Sequence, residues 1–314
     1  MVAIFGSGFG LYGYLPAIVQ GCRRRVVLPR RYQAEFGKRL ELAYLSPSIV
    51  WVDDERDAIK LASTVVLAQR PADNAARLIH CLESPTIQRL LVEKPLGRCP
   101  LEAAALLKLL RRRTEHFRIG YTFRYTDWGR RILSTVTRAS SESILQIEWY
   151  FMAYHFRHNV ETWKRSATQG GGAIRFYGIH LIALMAEAGY REITDSWVDG
   201  RGADLPTIWV ARLRGPNLPE CMVHVDSNSE RECFMAKLQP SLAASSGATL
   251  SKWSITLNDP FGQTALAPVV EAGLDRRHPV LTSLCQDLFS RAPVALNWYE
   301  SAIQLWSQAE ALSN

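Results

Sequence analysis

The chain has 314 residues, which is long for one core and sufficient for two domains, and 47% of them are hydrophobic. With 21% charged residues, the composition is that of a globular protein and argues against wholesale disorder. Glycine, glutamine and arginine interrupt every apolar run before it reaches the roughly 18 residues that span a bilayer, so no membrane partner is predicted.

Lys and Arg number 37 against 30 Asp and Glu, giving a formal net charge of +7 with arginine clusters at 23–25, 30–31 and 111–113. An anionic partner would explain this charge, and solvated helix ends would explain it equally; no nucleic-acid-binding motif accompanies it. The six cysteines are scattered without a CxxC pair, and His155 and His158 lack a third ligand. We therefore expect a cytoplasmic protein with reduced thiols, no metal and no nucleic-acid partner.

The first 20 residues predict a strand, a turn and a helix. VAIF at 2–5 is typical of a buried parallel strand, GSGFG at 6–10 of a tight turn, and 11–20 of a helix. A secretory signal is the alternative interpretation of this apolar start. It is disfavoured because a basic leading segment and an A-x-A cleavage site are missing and glycines interrupt the run.

Strands and helices then alternate up to about residue 122. Strands are predicted at 26–28, 63–68, 90–92 and 117–122, and helices at 58–62, 72–82 and 101–112, while 50–54 is apolar and then acidic. This alternation predicts the α/β class, with a doubly wound, Rossmann-type parallel sheet in a dinucleotide-binding domain over 1–121.

Beyond Tyr125 apolar and polar residues alternate, as in an antiparallel sheet with one covered face. The alternating segments are 144–151, 208–213, 222–227 and, more faintly, 251–257, with a loop at 241–247 and helices at 179–188, 279–289 and 299–312. We predict a second α/β domain over 122–314 with an open, mostly antiparallel sheet, which serves substrate binding and oligomerisation.

The glycine turn carries part of a dinucleotide fingerprint. Gly6 allows the tight turn and Gly8 lets backbone N–H groups approach a pyrophosphate, whereas the third fingerprint position holds Leu11. Strand two is followed by arginines instead of an acid for the ribose, and these could meet a 2′-phosphate or lie on the surface, so NAD and NADP both stay open. The cofactor residues predicted here are Gly6, Ser7, Gly8, Phe9, Gly10, Leu11, Arg30 and Arg31.

Further motifs follow in a specific order: LPA at 15–17, STVVLAQRP at 63–71, LLVEKPLG at 90–97, GYTFRY at 120–125, Trp163 and GGGAIRFYGIH at 170–180. In this order and spacing the chain resembles the glucose–fructose oxidoreductase / inositol dehydrogenase (Gfo/Idh/MocA) family over essentially its whole length. EKP alone is a common tripeptide, whereas EKP combined with GGG-x7-H is specific. The resemblance implies a Rossmann domain and an α/β domain whose open sheet mediates assembly into a homodimer or homotetramer.

The resemblance also implies NAD- or NADP-dependent hydride transfer at a carbinol or keto carbon of a sugar. Lys94 matches the lysine that stabilises charge on the reacting oxygen, and the Lys94–Pro95 bond is expected to be cis. His180 matches the acid/base histidine. Further cofactor contacts are implied for Ala68, Gln69, Arg70, Pro71, Glu93, Lys94 and Pro95, and substrate contacts for Arg124, Trp163, Arg175, Tyr177 and His180.

The chain departs from the family pattern beside the histidine. Many members carry an Asp four residues before it and another three residues after it, where this chain has Phe176 and Ala183. Tyr177 is a candidate catalytic proton donor to a carbonyl and Arg175 a candidate ligand for a substrate phosphate or carboxylate; packing roles are the alternative for both.

A nucleotide sugar is the substrate we expect, with a UDP-N-acetylglucosamine 3-dehydrogenase as the concrete version. A keto-sugar or imine reductase remains open. So does a cofactor-sensing regulatory protein of the same fold that has lost active-site residues. The retention of both Lys94 and His180 favours an enzyme.

Overall fold

The computed structural model describes residues 1–114, 116–200, 202, 204–239, 247–249, 274–290 and 296–313, with backbone alone at 247–249. The chain divides into two compact units. Unit 1 comprises Met1–Gly97, Ala105–Tyr125 and Val269–Val294, and unit 2 comprises Arg98–Ala104, Thr126–Pro268 and Ala295–Asn314. The domain boundary after residue 121 stays a prediction. The predicted strand at 251–257 lies outside the described residues, as does the predicted loop at 241–247 except for Gly247, which begins a short strand.

Unit 1 contains a parallel sheet in the order β3-β2-β1-β4-β5-β6, counted over the described strands. Its central strands are buried along their whole length, as the continuous apolar runs of the sequence predict. The strands are β1 (Val2–Phe5), β2 (Val26–Pro29), β3 (Ile49–Val52), β4 (Thr64–Leu67), β5 (Arg89–Val92) and β6 (Phe117–Ile119). The order reverses between β1 and β4, which is where doubly wound sheets bind their ligands.

Unit 2 contains a mixed sheet in the order β12-β11-β7-β10-β9-β8, again over the described strands. The β7–β10 pair is parallel and the other pairs are antiparallel, which confirms the mostly antiparallel prediction. Buried and half-buried residues alternate along β7, β9 and β10, so one face of the sheet is covered. The strands are β7 (Ile144–Met152), β8 (Glu192–Gly200), β9 (Pro206–Arg214), β10 (Glu220–Asp226), β11 (Asn228–Gln239) and β12 (Gly247–Thr249).

The α-helices are α1 (Gln33–Gly37), α2 (Glu55–Leu61), α3 (Pro71–Glu83), α4 (Pro100–Arg113), α5 (Asp127–Val136), α6 (Tyr154–Arg157), α7 (Ile179–Ala188), α8 (His278–Phe289) and α9 (Trp298–Leu312). The helix predicted at 11–20 forms as two π-helical stretches, Gly10–Tyr14 and Ala17–Gly21, and a third such stretch, Ala173–Gly178, leads into α7. Single 3₁₀ segments lie at Arg30–Tyr32, Leu40–Ser48, Thr122–Tyr125 and Ala167–Gln169. In the described part of the chain, each helix is too short or too polar to cross a membrane.

Helix α8 belongs to unit 1 although it lies late in the sequence. It packs against the helical stretch Ala17–Gly21, where the Gln286 side-chain amide donates to the Gly21 carbonyl at 3.0 Å. Gly21 leaves the room for this contact, because a Cβ there would lie 2.6 Å from the Thr282 hydroxyl oxygen. The parallel sheet therefore acquires part of its helical cover from residues about 260 positions away.

Candidate functional site

The carboxyl edge of the parallel sheet carries the glycine turn. Gly6 follows β1 directly and has a φ of +135°, a conformation that L side chains rarely adopt. A Cβ at Gly6 would also overlap the Ala68 carbonyl oxygen, which belongs to the residue after β4. Gly6 is thus required by the tight turn at the point where β1 and β4 part.

Gly8 opens the first turn of the following helix, where its carbonyl accepts from the Leu11 amide at 3.0 Å. A Cβ at Gly8 would have nothing within 4 Å, and its φ is not positive. The space above this helix N-terminus is therefore open to a ligand, and the free amides there suit an anion. Such a cradle fits the pyrophosphate of a dinucleotide.

Gly10 explains why the third fingerprint position tolerates leucine. A Cβ at Gly10 would lie 3.0 Å from the Ile4 Cγ2 atom in β1, so this glycine permits the close helix–strand approach. Leu11 itself is fully buried. Gly10 therefore permits the close helix–strand packing that the third glycine of the fingerprint permits one position later.

The arginines that follow β2 are both paired with carboxylates that follow β3. Arg30 Nε donates to Asp53 Oδ1 at 2.6 Å, and both side chains are more than half exposed. Arg31 pairs with Glu55, and its guanidinium stacks 5.2 Å from the ring centroid of Tyr32. Carboxylates that follow β3 thus lie beside the arginines that follow β2, a juxtaposition that the linear sequence does not reveal.

The turn after β4 is organised by a buried asparagine. Asn74 Oδ1 accepts from the Gln69 amide at 3.0 Å, and the Asn74 side chain is 1% exposed. Pro71 begins α3 and Arg70 precedes it as the N-cap residue. The Gln69 side chain accepts from Arg77 Nε at 3.1 Å. Ala68, Gln69, Arg70 and Pro71 therefore lie together at the same sheet edge as the glycine turn.

The end of β5 carries the EKP motif. The Lys94–Pro95 bond is cis, which confirms the expectation from the resemblance. Glu93 is 8% exposed and accepts a hydrogen bond from the Tyr14 hydroxyl. Burial raises the pKa of Glu93, whereas the charge of Lys94 and the Tyr14 hydrogen bond lower it; burial and the Glu93 charge raise the pKa of Tyr14.

Arg277, just before α8, is a residue that the sequence did not single out. Its guanidinium lies 4.2 Å from the ring centroid of Phe9, at the start of the glycine-turn helix, and its Nη2 is 2.7 Å from Asp275 Oδ2. The charge of Arg277 also lowers the pKa of Glu93. It therefore adds a cation to the same edge of unit 1. Arg276 and Arg277 stand in no motif that could have revealed this position.

In unit 2 the glycine run docks the segment of Trp163 against the start of α7. A Cβ at Gly171 would lie 2.5 Å from the Lys164 carbonyl carbon, and one at Gly172, where φ is +82°, would lie 2.5 Å from Pro206 Cγ. The Trp163 and Phe176 rings then meet edge to face at 5.3 Å. Phe176, in place of the family's Asp, therefore belongs to an aromatic cluster.

Tyr177 and His180 lie three residues apart, on one side of the helical segment, and both are 7% exposed. Burial raises the pKa of the Tyr177 hydroxyl, which therefore stays protonated over the ordinary pH range. The His155 ring stacks on Tyr177 at 6.3 Å. Burial, with the charges of Lys164 and Arg165, lowers the pKa of His155 to about 4, and its buried Nε2 atom has no hydrogen-bond partner within the described structure.

Arg175 is engaged in structure. Its Nε and Nη2 atoms donate to the two carboxylate oxygens of Glu310, at 2.5 and 2.8 Å, and its Nη1 donates to the Ala167 carbonyl at 2.5 Å and the Arg98 carbonyl at 3.0 Å. Four of five guanidinium donors are thereby used. This geometry favours the packing alternative, and a substrate contact by Arg175 stays a prediction.

Arg124, in unit 1, lies 3.7 Å from Asp287 Oδ2. The same carboxylate accepts from Arg118 Nε at 2.7 Å and from the Tyr125 hydroxyl at 2.6 Å. These contacts fix α8 beside β6 and provide the structural salt bridge that is one interpretation of Arg124. No group of three or more His, Cys, Asp or Glu side chains that could hold a metal occurs among the described residues.

No protein-family model and no curated protein matches the sequence. Solved structures match the fold. GenD2 from gentamicin A biosynthesis, in complex with NAD, is 18% identical with a TM-score of 0.68, the match covering 99% of this chain and 93% of that one. Myo-inositol dehydrogenase from Lactobacillus casei, in complex with NAD(H) and myo-inositol, is 12% identical with a TM-score of 0.68, covering 99% and 93%.

A 3-ketoreductase from Actinomadura kijaniata, in complex with NADP and TDP-benzene, is 12% identical with a TM-score of 0.67, covering 99% of this chain and 95% of the other. The second and third of these neighbours are a dehydrogenase and a ketoreductase, and all three were crystallised with NAD, NAD(H) or NADP. At such identities the likeness establishes that the chain has their fold, a Rossmann-type parallel sheet together with a mostly antiparallel one.

Proposed function

We propose that this protein is an NAD(P)-dependent oxidoreductase of the Gfo/Idh/MocA family, acting on a CH–OH or keto carbon of a sugar. The observation that carries the proposal is the open cradle at Gly8, at the switch point of a parallel sheet whose β5 is followed directly by Glu93-Lys94-Pro95. A glycine with empty space over a helix N-terminus is what a dinucleotide pyrophosphate requires.

The nicotinamide, when bound, accepts or supplies the hydride. Lys94 stabilises the negative charge that develops on the reacting oxygen. His180 takes the hydroxyl proton during oxidation and returns it during reduction. Tyr177 donates a hydrogen bond to a substrate carbonyl; burial raises the pKa of its hydroxyl, so it suits hydrogen bonding better than complete proton transfer.

A sugar is the substrate class, and a nucleotide sugar such as UDP-N-acetylglucosamine is the version we propose. Support comes from two structural neighbours: the 3-ketoreductase crystallised with TDP-benzene and the dehydrogenase crystallised with myo-inositol. Phe176 leaves a keto-sugar reductase as the second candidate, since it places an aromatic ring where an alcohol-oxidising member carries a carboxylate. Trp163 beside it offers an apolar wall for a sugar face.

Assembly through the open face of the unit 2 sheet is part of the proposal, as a homodimer or homotetramer. Trp197, Val210, His224 and Glu148 form one cross-strand row on that face. Trp197 is 52% exposed, which is unusual for a large apolar side chain and supports a covered surface in an assembly. Light scattering on the purified protein tests the assembly, with Trp197→Glu expected to shift it towards the monomer.

The activity test follows absorbance at 340 nm with NAD⁺ or NADP⁺ and a panel of UDP-sugars, dTDP-sugars and free polyols, and in reverse with the corresponding keto sugars. Lys94→Ala and His180→Ala are expected to lower kcat by at least about 100-fold, the usual contribution of one acid/base or electrostatic group. Lys108→Ala, an exposed lysine on α4, serves as the matched control and leaves kcat unchanged.

Turnover that survives both catalytic substitutions would contradict the assignment of Lys94 and His180. Tight cofactor binding without turnover on any sugar, keto sugar or imine would favour the alternative, a cofactor-sensing regulatory protein of the same fold. Tyr177→Phe separates the two directions of reaction, because a proton donor to a carbonyl affects reduction more than oxidation.

A further inference from the structure

Glu55 joins two arginines that reach it from different elements of unit 1. Arg31, directly after β2, and Arg77, on α3, each form an ion pair with one oxygen of the Glu55 carboxylate. The Glu55 side chain is 18% exposed and that of Arg77 is 19% exposed, whereas that of Arg31 is 56% exposed. The charges of Glu55 and Arg77 are therefore screened by water less than a surface pair is, and Arg31 joins them from the solvent side.

This triad stands beside the glycine turn. The Tyr32 hydroxyl accepts from the Gly6 amide at 3.2 Å and from Arg31 Nη2 at 3.3 Å. On the other side, the Arg77 guanidinium lies 4.7 Å from the ring centroid of Phe5, the last residue of β1. The triad therefore connects the ends of β1, β2 and β3 at the edge where a dinucleotide lies when its pyrophosphate occupies the Gly8 cradle.

A cavity of about 750 Å³ opens at the triad, with Arg31, Glu55, Gln69 and Arg77 among its lining residues. This is ample for a nucleoside. The rest of its charged wall is mixed in sign and gives no net preference for a phosphate. Arg56 and Lys60 contribute positive charge, and Asp54 and Asp73 negative charge.

The pairing of Arg31 and Arg77 with a carboxylate determines whether the cavity favours the ribose of NAD or the 2′-phosphate of NADP. In a doubly wound fold an acid binds the ribose 2′-hydroxyl of NAD, whereas an arginine accommodates the 2′-phosphate of NADP. Here the arginines are already bound to a carboxylate, so a 2′-phosphate would have to displace Glu55 and would meet its negative charge. Each carboxylate oxygen has two lone pairs, so Glu55 can accept from a ribose hydroxyl while it holds both arginines.

We propose that Glu55 selects NAD over NADP, taking the place of the acid that is missing after strand two. The inference rests on the proposed function only in requiring that a nicotinamide dinucleotide binds unit 1. It needs no assumption about the sugar. Arg30 and Asp53 form a second pair nearby, but with side chains 57% and 84% exposed it exerts little electrostatic effect.

The experiment is a binding titration without substrate, in which the fluorescence of NADH or NADPH is followed as the full-length protein is added. Wild-type protein is expected to bind NADH at least about tenfold more tightly than NADPH, the size of one charge-assisted hydrogen bond. Glu55→Gln keeps the shape, removes the charge and frees both arginines, so it is expected to raise NADPH affinity relative to NADH by about tenfold or more. Asp53→Asn is the matched control and leaves the ratio unchanged within about threefold.

A wild-type preference for NADPH, or equal affinity for both, would overturn the inference. So would a folded Glu55→Gln protein with an unchanged ratio. If Glu55→Gln does not fold, the wild-type ratio decides alone. If wild-type protein binds neither dinucleotide, both the proposed function and the selection by Glu55 are refuted, whereas binding with the wrong preference refutes the selection and leaves the oxidoreductase intact.

Discussion

Replacing Gly8 by alanine separates cofactor binding from folding. Apart from its chain neighbours and the local helix backbone, the added methyl group would touch nothing, since no other atom lies within 4 Å of an ideal Cβ at this position. The backbone at Gly8 is outside the left-handed region, so alanine adopts it without strain. The methyl group would instead occupy the space that a pyrophosphate needs above the helix N-terminus.

Gly8→Ala is expected to change protein stability little and cofactor affinity much more. The free energy of unfolding should change by no more than about 0.5 kcal/mol, the range of surface substitutions that make no new contact. Cofactor binding should lose at least one hydrogen bond from backbone N–H to phosphate, which is about 1.5–3 kcal/mol for a charged partner. That loss corresponds to an increase of roughly 10- to 150-fold in the dissociation constant of the cofactor.

The assay pairs a denaturant titration with a titration of NADH fluorescence, on Gly8→Ala and on Gly6→Ala. Gly6→Ala should lose stability, because its φ of +135° and the Ala68 carbonyl both exclude a Cβ. A Gly8→Ala protein that folds normally and binds NADH as the wild type does would refute the assignment of the space above Gly8 as the pyrophosphate site. A Gly8→Ala protein that is as unstable as Gly6→Ala would refute the reading of Gly8 as open space.

Three further outcomes are expected. Tyr14→Phe removes the Tyr14 hydroxyl donor from the buried Glu93 carboxylate, so the free energy of unfolding in urea should fall by about 1–3 kcal/mol and the pKa of Glu93 should rise further. Arg175→Met breaks a bidentate pair with Glu310 whose side chains are 20% and 19% exposed, and should cost about 2 kcal/mol in thermal or urea unfolding; normal stability with a raised substrate KM would support a substrate contact instead. Because the pKa of His155 is lowered to about 4 in the folded state, the unfolded chain binds the proton first, so stability is full above about pH 6.5 and falls as the pH drops towards 4; His155→Gln should flatten this part of the stability–pH curve.

Much of the parallel sheet follows from the sequence because its strands are short apolar runs bounded by turns. Residues 2–5 and 90–92 are buried on both sides, so their composition alone marks them as strands. The helix at 179–188 is confirmed to the residue, since Gly189 ends it in a left-handed conformation. Helix α5 and strand β8 were not predicted: α5 has few apolar residues, and β8 exposes most of its side chains.

The candidate site was predictable only where a motif fixes the backbone. Gly6, Gly8 and Lys94 are recognisable because a turn or a strand end demands them at fixed spacing. The sequence analysis did not identify Glu55 and Arg277, because each contacts the site through a residue more than 20 positions away in the chain. No local sequence pattern records such a contact. For Arg175 the sequence left a substrate contact and a packing role open; the bond to Glu310 favours packing, and the substrate contact stays a prediction.

Helix α8 has a consequence for the order in which the chain can fold. All six described strands of the parallel sheet lie before residue 120, yet Asp287, which pairs with the 3% exposed Arg118, is made 169 residues later. During synthesis the strands of unit 1 therefore emerge first, and the Arg118 guanidinium acquires its carboxylate partner Asp287 only after α8 leaves the ribosome. Closing so long a loop is entropically costly and slow. The strands of unit 1 are therefore synthesised first, but unit 1 can finish folding only when α8 has been made. A fragment that ends near residue 121 should be far less stable than the intact chain.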